Sequence, residues 1–540
     1  MEHADDIPTV LVSGTGPVGL TLALALHAHG VPVRIVGKAA GASEHSKALV
    51  IWARTLEDLA GVTDVEGFID EGIVLQGARF HEGAEPIAEL EMPKDRSRFP
   101  AAVMIPQYRT EQLLLERLEA VGVTVEWETE LVACTPGPER VECRLRRADG
   151  SEEACTADWL LAADGAHSTV RTQLGLDFSG DDLPTTFLIA DVVLDPPFEP
   201  GYLDIFLQPR QGLCACFPVD RTTTRLVVSL PDEAGVGDEP SLESVQAVID
   251  RTIPGGVVAG DPTWLATFRV HERVLERFRV GRVLLAGDAA HTHSPAGGHG
   301  MNTGMQDACN LAWKLAMHLR GIGGEPLLES YHSERSHAAR KVVEDSSRFT
   351  RVATISHPAL SFLRKTGLRV ATRFEGIRHH MLDNLMMMDI DYRDVGLPRV
   401  GAVPRNHGAL APGRHLPLLH VTDVDRGTTS LDAILDPRRF TLLVVENART
   451  PSFPKALDSM LATVAELDPG LAELVEVVAV RSGEDPVGGS IRSVRDHAGE
   501  VDEAMGFRGH GVVLVRPDRV ASLFSGALDG TEVRRWFDSL

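Results

Sequence analysis

Short apolar runs, each closed by glycine or aspartate, punctuate this chain. The first, Thr9-Val10-Leu11-Val12-Ser13, predicts a strand. It meets Gly14-Thr15-Gly16-Pro17-Val18-Gly19. Then Leu20-Thr21-Leu22-Ala23-Leu24-Ala25-Leu26 predicts a helix ending at Gly30, and a second strand follows at 33–36. The pattern returns at 158–163, a strand leading into Asp164-Gly165 and a helix capped by Ser168. It returns again at 283–286, a buried strand followed by Gly287-Asp288, a glycine-rich loop and a helix from about 304 to 319. Alternating stretches at 213–218 and 224–230 predict sheet, and 325–388 reads as helical. Leu385-Met386-Met387-Met388 near its end suits core packing, or the lining of a cavity for a bulky substrate. From about 404 the chain restarts through Pro404, Gly408, Pro412 and Gly413 as a small α/β unit. Its strands are expected at 440–445, 475–480 and 511–515, with a helix at 453–466. There is no internal repeat and no low-complexity stretch.

Composition narrows the class. The 540 residues carry 53 Lys and Arg against 77 Asp and Glu, a formal net charge of −24, with 43% hydrophobic and 24% charged residues. These are globular proportions, and the length suits three or four domains. So negative a balance argues against nucleic acid or an anionic membrane as partner. No apolar run approaches the ~18 residues of a membrane span, and the acidic N-terminus is not a signal peptide, so a cytoplasmic protein is expected. The six cysteines, at 134, 143, 155, 214, 216 and 309, are too sparse for a disulfide framework and read as reduced thiols. Cys214 and Cys216 share one side of their strand, which leaves a metal or redox pair as the alternative.

The opening strand, glycine turn, helix and second strand lie within ~30 residues, the context in which G-x-G-x-x-G signals dinucleotide binding. The first glycine allows the tight turn, the second lets a diphosphate approach, and the third packs helix close to sheet. The helix N-terminus then faces the phosphates. The acidic residue expected about 20 positions on, which holds the ribose, is missing; Gly37 and Lys38 stand there. Either another group or water holds the ribose, or adenosine binding is altered, with Lys38 favouring phosphate. In the third motif Asp288 sits at the C-terminal end of a strand, where ligands bind in open α/β sheets. Glycines 297, 298, 300 and 304 suggest close backbone approach to a flat ligand. The following helix turns its positive end to that loop, which suits the anionic N1–C2=O edge of a reduced flavin.

GTGPVG at 14–19, DGAHSTVR at 164–171 and GDAAHTHSPAGGHGMNTGMQDACNLAWKLA at 287–316 together resemble the FAD-dependent aromatic hydroxylases. These are single-component flavoprotein monooxygenases related to para-hydroxybenzoate and phenol hydroxylases. Within them the chain looks most like the polyketide-tailoring and rifampicin monooxygenases. Gln107-Tyr108-Arg109-Thr110-Glu111, Tyr331-His332-Ser333-Glu334-Arg335 and Val512-Val513-Leu514-Val515-Arg516-Pro517-Asp518 agree. The resemblance implies that Gly14, Gly16 and Gly19 lie under the FAD diphosphate, with Pro17 and Val18 in the same cradle. It implies that Gln107 contacts the ribityl–phosphate region and that Asp288, after Gly287, binds a ribityl hydroxyl. Pro295 would sit beside the reactive edge of the isoalloxazine. Gly300, Met301 and Asn302 would present backbone to the pyrimidine ring, with Gly298 in the same loop. Asp164 and Gly165 belong to a motif linked to both FAD and NAD(P)H. Gly37, Lys38 and Lys47 mark cofactor positions that depart from the family pattern; a lysine lacks the bidentate fork of arginine.

The expected fold is α/β: a discontinuous Rossmann-like FAD-binding domain (1–75, 105–177, 271–324), a β-sheet substrate domain (76–104, 178–270), a helical segment (325–400) and a thioredoxin-like C-terminal domain (404–540) without cysteines. The resemblance implies a monooxygenase that hydroxylates or epoxidises an aromatic or polyketide-type metabolite of antibiotic biosynthesis, using NADPH or NADH and O₂ through a flavin C4a-hydroperoxide. The flavin carries that chemistry because side chains cannot. His293 is a candidate catalytic group beside Pro295, although His291, His293 and His299 each suit loop hydrogen bonding as well. No metal is expected, and the protein is a monomer or homodimer. Two other readings stand: a redox-silent, FAD-dependent cyclase on the same scaffold, and a non-catalytic flavin-binding sensor.

Overall fold

The computed structural model describes residues 9–43, 48–208, 212–230, 239–353, 355, 357–397, 410–423, 426–447, 453–483, 491–497, 499–507, 509–526 and 528–540. The side chains of 181–185, 212, 270, 358 and 359 are outside that description.

The apolar runs become the centre of a six-stranded sheet. β1 (Val10–Ser13), β2 (Val33–Val36), β3 (Trp159–Ala162) and β4 (Val283–Leu285) run parallel. β1, β3 and β4 are buried at every position, as strands covered on both faces must be. β1 lies between β2 and β3, and β4 lies beyond β3. Register sets Ser13 opposite Ala162, and Ala162 opposite Leu285. Three motifs far apart in the chain therefore begin side by side at one sheet edge.

Helix α1 (Pro17–Ala28) is apolar on nearly every side and is buried from Gly19 to Leu26. It packs against α2 (Gln107–Ala120) and α3 (Gly300–Leu319). The third-motif helix thus begins four residues before the expected position. His299 is its N-cap and accepts from Thr303 N at 2.8 Å, so Gly300, Met301 and Asn302 lie in the first turn rather than in the loop. The expected helical stretch is three helices: α4 (Glu325–Ala353), Pro358–Ala371 and Glu375–Leu385. Proline is tolerated in a first turn but not in a helix interior, so Pro358 starts the second helix instead of continuing α4.

An eight-stranded sheet is built from 77–91, 180–274 and 291–292. Alternation divides it into two faces. Phe206, Cys214, Cys216, Leu226 and Val228 face the helix Leu242–Thr252. Leu203, Ile205, Leu207, Leu213 and Ala215 join Trp52, Met104, Met386 and Met387 on the other face. Met386 and Met387 are core residues, at 0% and 2% exposure. All six cysteines are free thiols.

The C-terminal unit is a seven-stranded sheet in which Phe440–Val445 pairs parallel with Val475–Arg481 and antiparallel with Gly511–Val515. The strands Arg492–Asp496 and Ala521–Ser525 also belong to it, although only the three strands richest in Val and Leu stand out in the pattern. Phe440, Trp536 and Phe537 pack on Trp313 of α3, which docks this unit on the first. Beneath them Glu334 of α4, fully buried, accepts from Lys314 (2.7 Å) and from both terminal nitrogens of Arg516 (2.7 and 2.8 Å). Burial opposes ionisation of Glu334, but Arg516 and Lys314 overcome it and hold the carboxyl far below its usual range. Among the described residues no helix is long and apolar enough to cross a membrane.

Candidate functional site: a dinucleotide cradle at three strand ends

The glycines of the first motif have separate jobs. Gly14 is at φ +115°, and a Cβ there would overlap the Ala163 carbonyl oxygen at the end of β3. A Cβ at Gly19 would overlap the carbonyl oxygen of Gly14. Both therefore close protein against protein. Gly16 has ordinary extended backbone and nothing within 4 Å of its Cβ position, so its open side faces outward at the helix N-terminus. An approaching diphosphate needs that opening, together with the first amides of α1.

Pro17 is buried as the first residue of α1. Val18 is wedged into the third motif: a Cβ at Gly287 (φ +58°) would lie 2.8 Å from its Cγ2, and one at Gly304 2.5 Å from it. Gly304 thus makes room for Val18 rather than for a flat ligand. Gly298 (φ +64°) likewise leaves room for Val50, whereas Gly300 has space, with the His293 ring 3.6 Å from its Cβ position.

Asp288 is exposed although its neighbours from Val283 to Gly287 are buried, which leaves its carboxylate accessible at the β4 end. Asp164 accepts from Val170 N at 3.2 Å through one oxygen; the other, Oδ1, is buried without a hydrogen-bond partner. Gly165 beside it is at φ +81° with open space around it. An accessible carboxylate, an unpartnered carboxylate oxygen and an open glycine amide at adjoining strand ends fit the hydroxyls and phosphates of FAD. The residues present suit the group.

Gln107 opens α2 and ties down the chain entering the Val50–Trp52 strand. Its amide donates to Ala48 O (3.1 Å), its Oε1 accepts from Ala48 N (3.2 Å), and its Nε2 donates to Glu111 (2.9 Å). Lys47, the adjoining candidate, lies outside the described residues. Gly37 follows β2 and is buried; Lys38 is exposed.

Pro295 and Gly298 form a turn closed by Gly298 N to Pro295 O at 2.9 Å. Met301 is partly buried and packs on the central core. The Asn302 carboxamide, 0% exposed, accepts from Trp52 N (2.9 Å) and donates to Val50 O (2.9 Å) and Gly298 O (2.8 Å), clamping the loop to the neighbouring strand. All three histidines are hydrogen-bonded through one ring nitrogen, only His293 within the loop itself. His291 Nε2 meets Asp307 Oδ2 at 2.8 Å, His293 Nδ1 donates to Ser294 O at 2.8 Å, and His299 Nε2 donates to Leu385 O at 3.1 Å. Burial pushes the His293 pKa down to about 3, so its ring is neutral near pH 7 and Nε2 keeps a lone pair without a partner.

Asp307, Tyr331 and Arg335 lie inside the sequence motifs, but nothing local to them signals their role. Asp307 is fully buried; its Oδ2 accepts from Gly287 N (2.9 Å) and pairs with His291, and its Oδ1 accepts from Arg335 Nε (2.6 Å). Burial opposes its ionisation, but Arg335 and His291 outweigh that and hold its pKa below the usual carboxylate range. Arg335 also donates to Tyr392 Oη (2.7 Å) and Thr303 O (3.1 Å), and Tyr331 Oη donates to Leu285 O (2.7 Å). The placement of Asp288 rests on this scaffold. A buried acid in a helix interior needs a buried base elsewhere, the one signal by which the pair could have been found.

A parallel sheet whose strand ends converge on an open glycine amide, an accessible carboxylate and an unpartnered carboxylate oxygen defines a dinucleotide-binding protein of the flavoprotein kind. Residues 8–346 match the family model described as an FAD binding domain. The 6-methylpretetramide 4-monooxygenase of Streptomyces rimosus is 34% identical, covering 95% of this chain and 90% of that protein. Among solved structures, the anhydrotetracycline hydroxylase OxyS from Streptomyces rimosus superposes with a TM-score of 0.75 at 28% identity, covering 98% of this chain and 99% of that one. The Diels-Alderase PyrE3 of the pyrroindomycin pathway gives 0.71 at 27% identity, covering 98% and 100%. The chain belongs to the FAD-dependent monooxygenases of the aromatic-hydroxylase family. It is an enzyme with FAD as cofactor and, as is typical of the family, NADPH or NADH as co-substrate.

Proposed function

We propose that this protein hydroxylates or epoxidises a bulky aromatic polyketide intermediate, consuming NAD(P)H and O₂. The observation that carries the reading is the alignment of Ser13, Ala162 and Leu285, which sets the three motif loops around one cradle. The polyketide-tailoring names of the relatives support the substrate class.

Bound FAD supplies hydride acceptance and oxygen activation, which no side chain can provide. The chain binds and orients it. The α1 N-terminus and Gly16 receive the diphosphate, Asp288 a ribityl hydroxyl, and the first turn of α3 the pyrimidine side of the ring. Pro295, in the turn closed by the Gly298 amide, would lie between bound flavin and substrate. His293 acts as a neutral hydrogen-bond acceptor rather than as a base, since its depressed pKa makes proton uptake near neutrality unfavourable. The apolar sheet face bearing Leu203, Ile205 and Leu213 belongs to the unit 76–104 and 178–270, which we assign as the substrate roof that excludes water. The C-terminal unit is read as a thioredoxin-like appendage; having no cysteine after Cys309, it performs no thiol chemistry and serves packing or dimer contacts.

Anaerobic stopped-flow tests the reading: NADPH should reduce the bound FAD, and faster with an aromatic polyketide substrate present. A second reading is favoured by the missing ribose acid at Gly37, since a redox-silent cyclase tolerates a weakly held flavin. Conversion of a polyene without NAD(P)H or O₂ would establish it instead.

A further inference from the structure

Position 37, where an acidic residue ordinarily holds the adenosine ribose, is glycine for a steric reason. A Cβ there would overlap the Cγ2 and Oγ1 of Thr15 and lie 2.9 Å from its Cβ. Neither side can yield. The Gly37 backbone is pinned by its amide to Glu126 O (3.0 Å) and by its carbonyl to Thr129 N (2.8 Å). The Gly14–Thr15 turn is pinned by Gly14 N to Val36 O (2.9 Å), and threonine is stiff at χ1. The middle residue of the glycine motif and any side chain at 37 are mutually exclusive, and here Thr15 holds the space. Its half-buried hydroxyl stands where a carboxylate stem would begin. Nearby Glu126 is committed to Arg34 (2.6 Å) and Arg147 (3.1 Å), and the residue after Gly37 is the exposed cation Lys38.

We infer that Thr15 is the ribose-binding and specificity-determining residue of the FAD site, and that the pocket therefore accepts a 2′-phosphorylated adenosine. A carboxylate both bonds the 2′-hydroxyl and repels a 2′-phosphate, whereas a basic residue accommodates that phosphate. A neutral hydroxyl beside Lys38 keeps the hydrogen bond and loses the repulsion. The inference rests on the 14–19 loop being the FAD site.

Apoprotein of the full chain, titrated with FAD by fluorescence quenching, tests it, with ADP-ribose and 2′-phospho-ADP-ribose as competitors. In the wild type the two competitors should act within about threefold of each other. Thr15→Val should weaken FAD by about five- to tenfold, the loss of one hydrogen bond, and Thr15→Ser should restore it. In the double variant Thr15→Gly, Gly37→Glu, which clears the Thr15 side chain from the space, the phosphorylated competitor should fall behind by more than about tenfold, the cost of opposed like charges. Tenfold rejection of the phosphorylated competitor by the wild type overturns the inference. So does an unchanged FAD affinity in Thr15→Val. If FAD does not bind the wild type at all, the cofactor reading itself fails.

Discussion

Arg335 Nε on α4 donates to Asp307 Oδ1 on α3 across 2.6 Å, in a site where both side chains are essentially sealed from solvent. The other oxygen of Asp307 holds the Gly287 amide, the residue before Asp288. The ion pair is therefore an anchor for the loop that carries the exposed Asp288.

Asp307→Ala should cost about 3–5 kcal/mol, because it leaves the Arg335 charge buried and unpaired. Thermal denaturation and the flavin content of the purified protein should fall together.

Asp288→Ala should separate those two readouts. Its exposed carboxylate supports no core, so the melting temperature of the apoprotein should change little. The 450 nm absorbance should drop, as a charged hydrogen bond worth ~1.5–3 kcal/mol is removed. A fully yellow variant would count against the site assignment.

The glycines of the first motif divide in the same way. Gly14→Ala meets a carbonyl oxygen at positive φ and should destabilise by about 2 kcal/mol or more. Gly16→Ala has room, so stability should stay within about 0.5 kcal/mol while the Kd for FAD rises. Chemical denaturation paired with flavin titration distinguishes them.

Acid should weaken the flavin loop. His293 titrates at about 3 in the fold and near 6.5 when unfolded, so between those values the unfolded chain binds more protons. Its contribution is complete above pH 6.5 and lost as pH falls toward 3. The melting temperature should decline from pH 6.5 to 4.5, and less steeply in His293→Asn.

Glu334→Gln should leave Lys314 without its ion-pair partner and Arg516 with Asp518 alone, in the interface between α3, α4 and the C-terminal sheet. A loss of about 3 kcal/mol is expected, read as a lower denaturation midpoint.

The apolar strands and the glycine motif were legible because their signals are local. A run such as Val10-Leu11-Val12 can be satisfied only inside a covered sheet, and positive φ at Gly14 demands glycine in any context. The start of α3 was placed four residues late because glycines 297, 298 and 300 resemble an unbroken loop until His299 accepts from Thr303. The strands Arg492–Asp496 and Ala521–Ser525 escaped notice because the first is mostly charged and the second has only three apolar residues in five, broken by Ser522, so neither carries a periodic signal.

Chain chemistry by itself determined that a strand, turn and helix would cradle a dinucleotide, and which residue types could touch it. Tertiary structure alone decided that Ser13, Ala162 and Leu285 end in register, that Asp307 finds Arg335, and that Thr15 fills the space above Gly37. Each of these is a relation between segments separated in the chain. Its energy comes from burial and shape complementarity, which exist only once the sheet has assembled.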